Sequence, residues 1–397
     1  MVKILGLGWV LALLFWVAPA HAYSWMIRHE YTGCATCHVD PSGGYLLTPY
    51  GRAQTQTLLS SFGRAGNGED VDKRSEFAWG VGHHLPPWLN LGVSVREAFM
   101  ASKEVSPAQG PTLSRFMLMQ ADFRAAVTVD RFVATGSIGY LQDGHHAAQI
   151  NKGARDVLVS REFWAGYYLG EDRDTFIRVG RLYLPFGLRV IEHPFYVRSS
   201  TATNIDSQQQ YGASLFLERE GYRAELMAIA GNYQLYPDAY RQRGYSGYVE
   251  FAVRPRLQFG MSSMLTYAKL DPDLLESVVR GAHGAMARWS PEPELALLAE
   301  VDIVHTVLDG SISHAGYVSL AQLDYELVRG LHGIFSTEFY RPARERALWN
   351  NREWLSVAWF AYPHVDLRLD GYWASESFVP TARTNSLAAL GQIHVSL

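Results

Sequence analysis

Two cysteines occur in the 397 residues, and both fall in one run, Gly33-Cys34-Ala35-Thr36-Cys37-His38. Two thiols separated by two residues and followed at once by a histidine suit covalent attachment of a c-type haem. Each thiol adds across a vinyl group, and the adjacent imidazole is placed to ligate iron. Cys34, Cys37 and His38 fill those three roles, which makes one haem c the expected cofactor. A thioredoxin-type dithiol needs a strand-to-helix setting and has no use for His38, and half a zinc site needs a second cysteine pair. The sixth iron ligand would be a histidine or a methionine. No histidine stands between His38 and His83, and the first methionine after the motif is Met100. His29 and Met26 upstream and His83 and His84 downstream therefore remain, with His29 the first candidate because one short loop separates it from the motif. The pair His145-His146 reads as a solvated loop rather than a metal site.

The elements that must hold this motif begin with an export signal. Met1-Val2-Lys3 precedes an apolar run from Ile4 to Val17, and Ala20-His21-Ala22 offers small residues where a signal peptidase reads. A membrane anchor needs roughly 20 apolar residues. Residues 1–22 thus read as a removed signal, with the mature chain starting near Tyr23 and no cysteine there to carry a lipid. In an oxidising compartment, two cysteines spent on one motif exclude a disulfide framework. The net charge of −4 gives no basic field for nucleic acid. Aromatic residues at 13% and 35 glycines fit a chain of strands and turns.

Residues 23–75 form a first unit, the haem segment with a linker that ends in the charged run Gly68 to Arg74. From 76 to 397 apolar and polar residues alternate in pieces of about ten, separated by turn signals. Val365, Leu367 and Leu369 alternate with Asp366, Arg368 and Asp370, while Ala299, Val301 and Ile303 alternate with Glu300 and Asp302. An exported sandwich or solenoid would also alternate. Charged residues in mid-strand, segment after segment, fit a water-filled lumen better, and aromatic clusters such as Phe163-Trp164 with Tyr167-Tyr168 fit interfacial girdles. About sixteen segments follow Trp88, an even number that closes an antiparallel barrel. The expected fold is all-β, a transmembrane antiparallel barrel with a small N-terminal haem segment. Phe77 to Leu85 reads as an extra strand or a lead-in, and the connector Pro185 to Gln210 as an outer loop or an inward constriction.

The motif together with Leu47-Thr48-Pro49-Tyr50-Gly51-Arg52 resembles the start of the fused monohaem cytochrome–porins of the bacterial outer membrane. That resemblance implies Cys34 and Cys37 as attachment thiols, His38 as proximal ligand, and electron transfer between an extracellular couple such as ferrous iron and a periplasmic c-type cytochrome. A segment of about fifty residues is too short to bury a haem unaided. It is therefore expected to plug the barrel and borrow its walls. A haem-plugged diffusion porin and a soluble periplasmic cytochrome are the rival functions.

Overall fold

The computed structural model describes residues 23–62, 75–107, 110–142, 156–192, 194–205, 208–235, 237–271, 274–308, 311–342, 348–379 and 382–397. The signal at 1–22, the charged run at 68–74 and the pair His145-His146 lie outside the described residues, as does the side chain of His83. Seventeen strands follow one another in antiparallel order: β1 Leu89–Ser106, β2 Leu113–Val129, β3 Phe132–Gln142, β4 Asp156–Val159, β5 Phe163–Leu169, β6 Thr175–Leu182, β7 Gln210–Arg219, β8 Tyr222–Gly231, β9 Arg243–Arg254, β10 Leu257–Ala268, β11 Val278–Glu292, β12 Leu295–Leu308, β13 Ser311–Val328, β14 Leu331–Arg341, β15 Asn350–Tyr362, β16 Val365–Val379 and β17 Ala382–Ser396.

β4 and β5 both pair with β3, at Gly139↔Val159 and Gly136↔Phe163, so they are one barrel strand broken by a bulge. β1 pairs with β2 on one side and with β17 on the other, from Ser94↔Ser396 to Ser106↔Asn385, which closes the sheet at sixteen positions. No edge is left to pair with another chain.

The alternation runs inside out relative to a soluble protein. On β12, Glu300 and Asp302 are buried while Val301 and Ile303 are 49% and 61% exposed. On β16 the same holds for buried Asp370 against exposed Leu369. An exterior built of Val, Ile, Leu and Phe over an interior of Asp, Glu and Arg is stable only with hydrocarbon outside. The aromatic clusters divide between the two faces: Phe163 and Tyr167 point outward, whereas Trp164 is buried inside. Tyr317, Phe339 and Trp349 stack in sequence at the long-loop end.

Two-residue turns, for example at 130–131, 220–221 and 329–330, gather at one end of the barrel, together with the start of β1 and the end of β17. Phe77–His84 is a 3-10 lead-in at this mouth, where Trp79 donates to Pro363 O. The connector after β6 folds inward rather than out. Ser246 bonds Pro185 O at 3.0 Å, Leu188 N donates to Glu300 Oε2 at 2.9 Å, and Arg368 meets Glu192 at 2.7 Å. With its backbone groups satisfied by lumen side chains, this segment is held across the pore.

Candidate functional site: the Cys34 to His38 turn in the lumen

Residues 23–62 lie among the lumen side chains and bond to walls on several sides. Arg28 pairs with Asp324 on β13, both fully buried, and His332 on β14 completes that contact at 2.9 Å from Asp324. On another face Arg178 of β6 joins Asp40 at 2.5 Å and Glu225 of β8 at 2.6 Å. Asn90 of β1 donates to Leu47 O at 2.7 Å, and Thr32 O accepts from Gln258 and Arg288 on β10 and β11. From the other end of the pore the inward connector meets the segment, with Ser24 Oγ donating to Leu188 O at 2.7 Å.

Removing one member of a buried pair costs about 3–5 kcal/mol because the survivor is left charged and dry. Arg28→Ala leaves Asp324 in that position. The expected outcome is a loosened segment and larger, noisier single-channel currents in planar bilayers than the wild-type chain gives.

The Cys34 to His38 run is one tight turn: Cys37 N and His38 N both donate to Cys34 O, at 3.2 and 2.9 Å. The chain then loops out and returns, with Val39 N on Leu46 O and a bridge pairing His38 with Leu47. Thr48 closes the return twice, accepting from Gly51 N as N-cap of the helix Pro49–Gln54 and donating to Thr36 O at 2.6 Å. Proline at the first helical position suits this start. The helix packs on the motif so closely that a Cβ on Gly51 would lie 2.2 Å from Cys37 O. That contact explains a glycine in mid-helix, where it costs intrinsic propensity. The helix runs on as a π turn, Thr55–Leu59, and ends against Gly330 at the short-turn mouth.

Cys34 and Cys37 are free, buried thiols. Burial pushes Cys37 up to about 12, with the neighbouring Cys34 adding to the effect. Burial also raises Cys34, but Arg223, Arg189 and Arg288 outweigh it and hold that thiol below the ordinary value. His38 is driven down to about 4 by burial, and its Nδ1 has no hydrogen-bond partner. Cys34 and His38 line a cavity of about 1450 Å³ between the segment, the connector and the wall, solvent space included. Leu46, Leu47, Leu59 and Met26 supply its apolar lining from the segment, and Arg96, Arg124 and Arg189 stand on the far sides. Cys37 lies under the helix rather than on the cavity surface.

Other named residues fall elsewhere. His29 is not among the described lining residues; its ring packs edge-on to Tyr31, near Glu326 and Arg256 by the short turns. His84 is exposed at the mouth. Two histidines that sequence reasoning passed over, His364 and His394, do line the cavity, but both ring nitrogens of each are engaged, with Ser396 O and Ser75 O, and with Asp366 and Ser94. They stand on β17 and the turn before β16, where nothing in their local sequence marks them.

No family model matches this chain, and no curated protein matches it. Solved structures do. An anion-selective porin from Comamonas acidovorans superposes with a TM-score of 0.59 at 9% identity, covering 78% of this chain and 99% of its own. The channel DcaP of Acinetobacter baumannii gives 0.55 at 9%, covering 78% and 97%. OprB of Pseudomonas putida gives 0.56 at 9%, covering 77% and 94%. The likeness is one of fold. The chain has the closed barrel of porin architecture, and its apolar exterior independently requires a bilayer.

Proposed function

We propose that this porin-fold chain is an outer-membrane electron carrier, holding one haem c in its lumen segment. It would pass electrons between an extracellular couple such as ferrous iron and a periplasmic c-type cytochrome or similar carrier. The observation that carries this reading is the Cys34 to His38 turn itself: two free thiols and an imidazole with a spare buried nitrogen, on one turn beside a cavity of about 1450 Å³.

The donor set fits the group. Cys34 and Cys37 would anchor it through thioethers, and His38 would ligate its iron. Met26, buried and lining the same cavity as His38, would supply a further ligand. The group supplies one-electron chemistry, which no side chain here offers at moderate potential. The apolar residues Leu46, Leu47 and Leu59 exclude water, and the inward connector limits approach from the long-loop side. The short-turn mouth, where the segment enters, is the side a periplasmic carrier would meet.

One observation favours diffusion as a second reading. A separate cavity of about 1140 Å³, lined by Ser199 to Ala202, Arg280 and His314 among others, contains no residue of the 23–62 segment. Purified protein in liposomes distinguishes the two. Electron transfer predicts reduction of the haem absorbance by external ferrous salt and its reoxidation by an enclosed cytochrome. Solute-driven swelling without any haem signal would replace that reading with a diffusion channel.

A further inference from the structure

Where Gly33 passes the wall, three guanidinium groups converge on one fully buried carboxylate. Arg189 Nη2 lies 3.1 Å from Glu250 Oε1, Arg288 Nη2 lies 2.9 Å from Oε2, and Arg223 Nε bonds the same Oε2. Gln258 also reaches Oε2, at 3.4 Å, so Glu250 has little acceptor capacity left. The other carboxylates nearby are Glu218, opposite Arg223 in the β7–β8 register, and Glu225, opposite Tyr248 in the β8–β9 register and paired with Arg178. Charge is therefore near balance.

The donors, unlike the charge, are in excess. Among the described residues, Nε and Nη1 of Arg189 and Nη1 and Nη2 of Arg223 are buried with no nitrogen or oxygen partner, and Tyr248 Oη shares that condition. The side chains of Arg189 and Arg223 are only 9% and 3% exposed. Both lie over the Tyr248 ring, at 4.1 and 5.6 Å from its centroid. On the lumen segment Arg223 meets the Cys34 thiol, a weak acceptor that leaves most of its donors unused. Arg189 also lines the main cavity, which gives a ligand a way in.

Buried guanidiniums with unused donors are costly, and two of them side by side match a ligand that offers several oxygens in a fork. We propose that Arg189, Arg223 and Tyr248 form a binding site for an oxyanion inside the lumen, beside the Cys34 turn. Sulfate or phosphate carries the required geometry, and so does the carboxylate of a resident organic group. A monatomic ion uses only part of the donor set. The site stands on wall and connector residues and does not depend on the haem reading.

Equilibrium dialysis of the full-length protein in detergent against labelled sulfate tests it, with ionic strength held constant by chloride. One saturable sulfate per chain is expected, displaced by inorganic phosphate and weakened roughly tenfold or more in Arg189→Gln and in Arg223→Gln. Arg223→Lys should keep part of the affinity, which separates loss of charge from loss of fold. Absence of saturable binding both in the wild-type chain and in the Cys34→Ala, Cys37→Ala variant, or displacement by chloride as effective as by phosphate, overturns the proposal. Repeating the titration on Cys34→Ala with Cys37→Ala assigns the source. Binding in both forms identifies a free oxyanion, and binding only in the variant identifies a carboxylate of the attached group; each outcome supports the site.

Discussion

Replacing Cys34 and Cys37 together by alanine is expected to abolish covalent haem while leaving the barrel intact. Neither residue belongs to the wall, since the sheet closes through β1 with β2 and β17. The variant should insert, resist denaturation in detergent and run as a compact species on unheated gels. In the wild-type chain the expectation is a mass increase of one haem and a haem stain that survives denaturation. Both vanish in the double variant. A wild-type chain with two titratable thiols and no added mass would end the electron-transfer reading. The effect is close to all or none because thioether bonds alone survive unfolding. Loss of His38 would instead leave the attachment and change the iron's spectrum.

Much of this architecture is legible in one sequence because a barrel strand is a local pattern. The number of alternating segments after Trp88, about sixteen, matches the sixteen wall positions of the closed sheet. The reason is that lumen and lipid select opposite chemistry at successive residues, which fixes the face of each side chain without reference to its neighbours. Interruptions are less visible. β4 and β5 are split because Arg161 and Glu162 both turn inward, Arg161 to Asp122 at 2.7 Å and Glu162 to Trp164 at 3.2 Å. A bulge of that kind breaks the period for one step only, too briefly to register as a signal.

The direction of the connector after β6 was open for a different reason. What holds it inward is a set of partners more than fifty residues away: Glu300 for Leu188, Glu338 for Tyr196 and Glu250 for Arg189. Those glutamates look like ordinary lumen residues in sequence. The same holds for the lumen segment, whose attachments to Asp324, Glu225 and Gln258 span most of the chain. The Cys34 to His38 run stands out in sequence because its residue types are compressed into five positions. For a sixth ligand, proximity in sequence points to His29, whereas the cavity is lined by Met26.

That difference gives the second large effect. Met26→Leu keeps the volume and removes the sulfur, so packing against the buried neighbours Trp25 and Ile27 is retained. The expected result is loss of the sulfur-to-iron charge-transfer band in the oxidised protein. The reduction potential should fall by a sizeable part of the ~0.8 V range over which axial ligands act. His29→Leu should leave both unchanged, because its ring packs by Tyr31 and the short turns and not on the cavity. The reverse pattern, a spectrum altered by His29→Leu and indifferent to Met26→Leu, would assign the ligand to His29. It would also require the turn Ser24–His29 to rotate when the group is attached, since Trp25 and Met26 now face the cavity and His29 does not. Such a rotation would have to break the buried Arg28 contact with Asp324. At about 3–5 kcal/mol for a separated buried pair, that contact favours Met26 as the ligand.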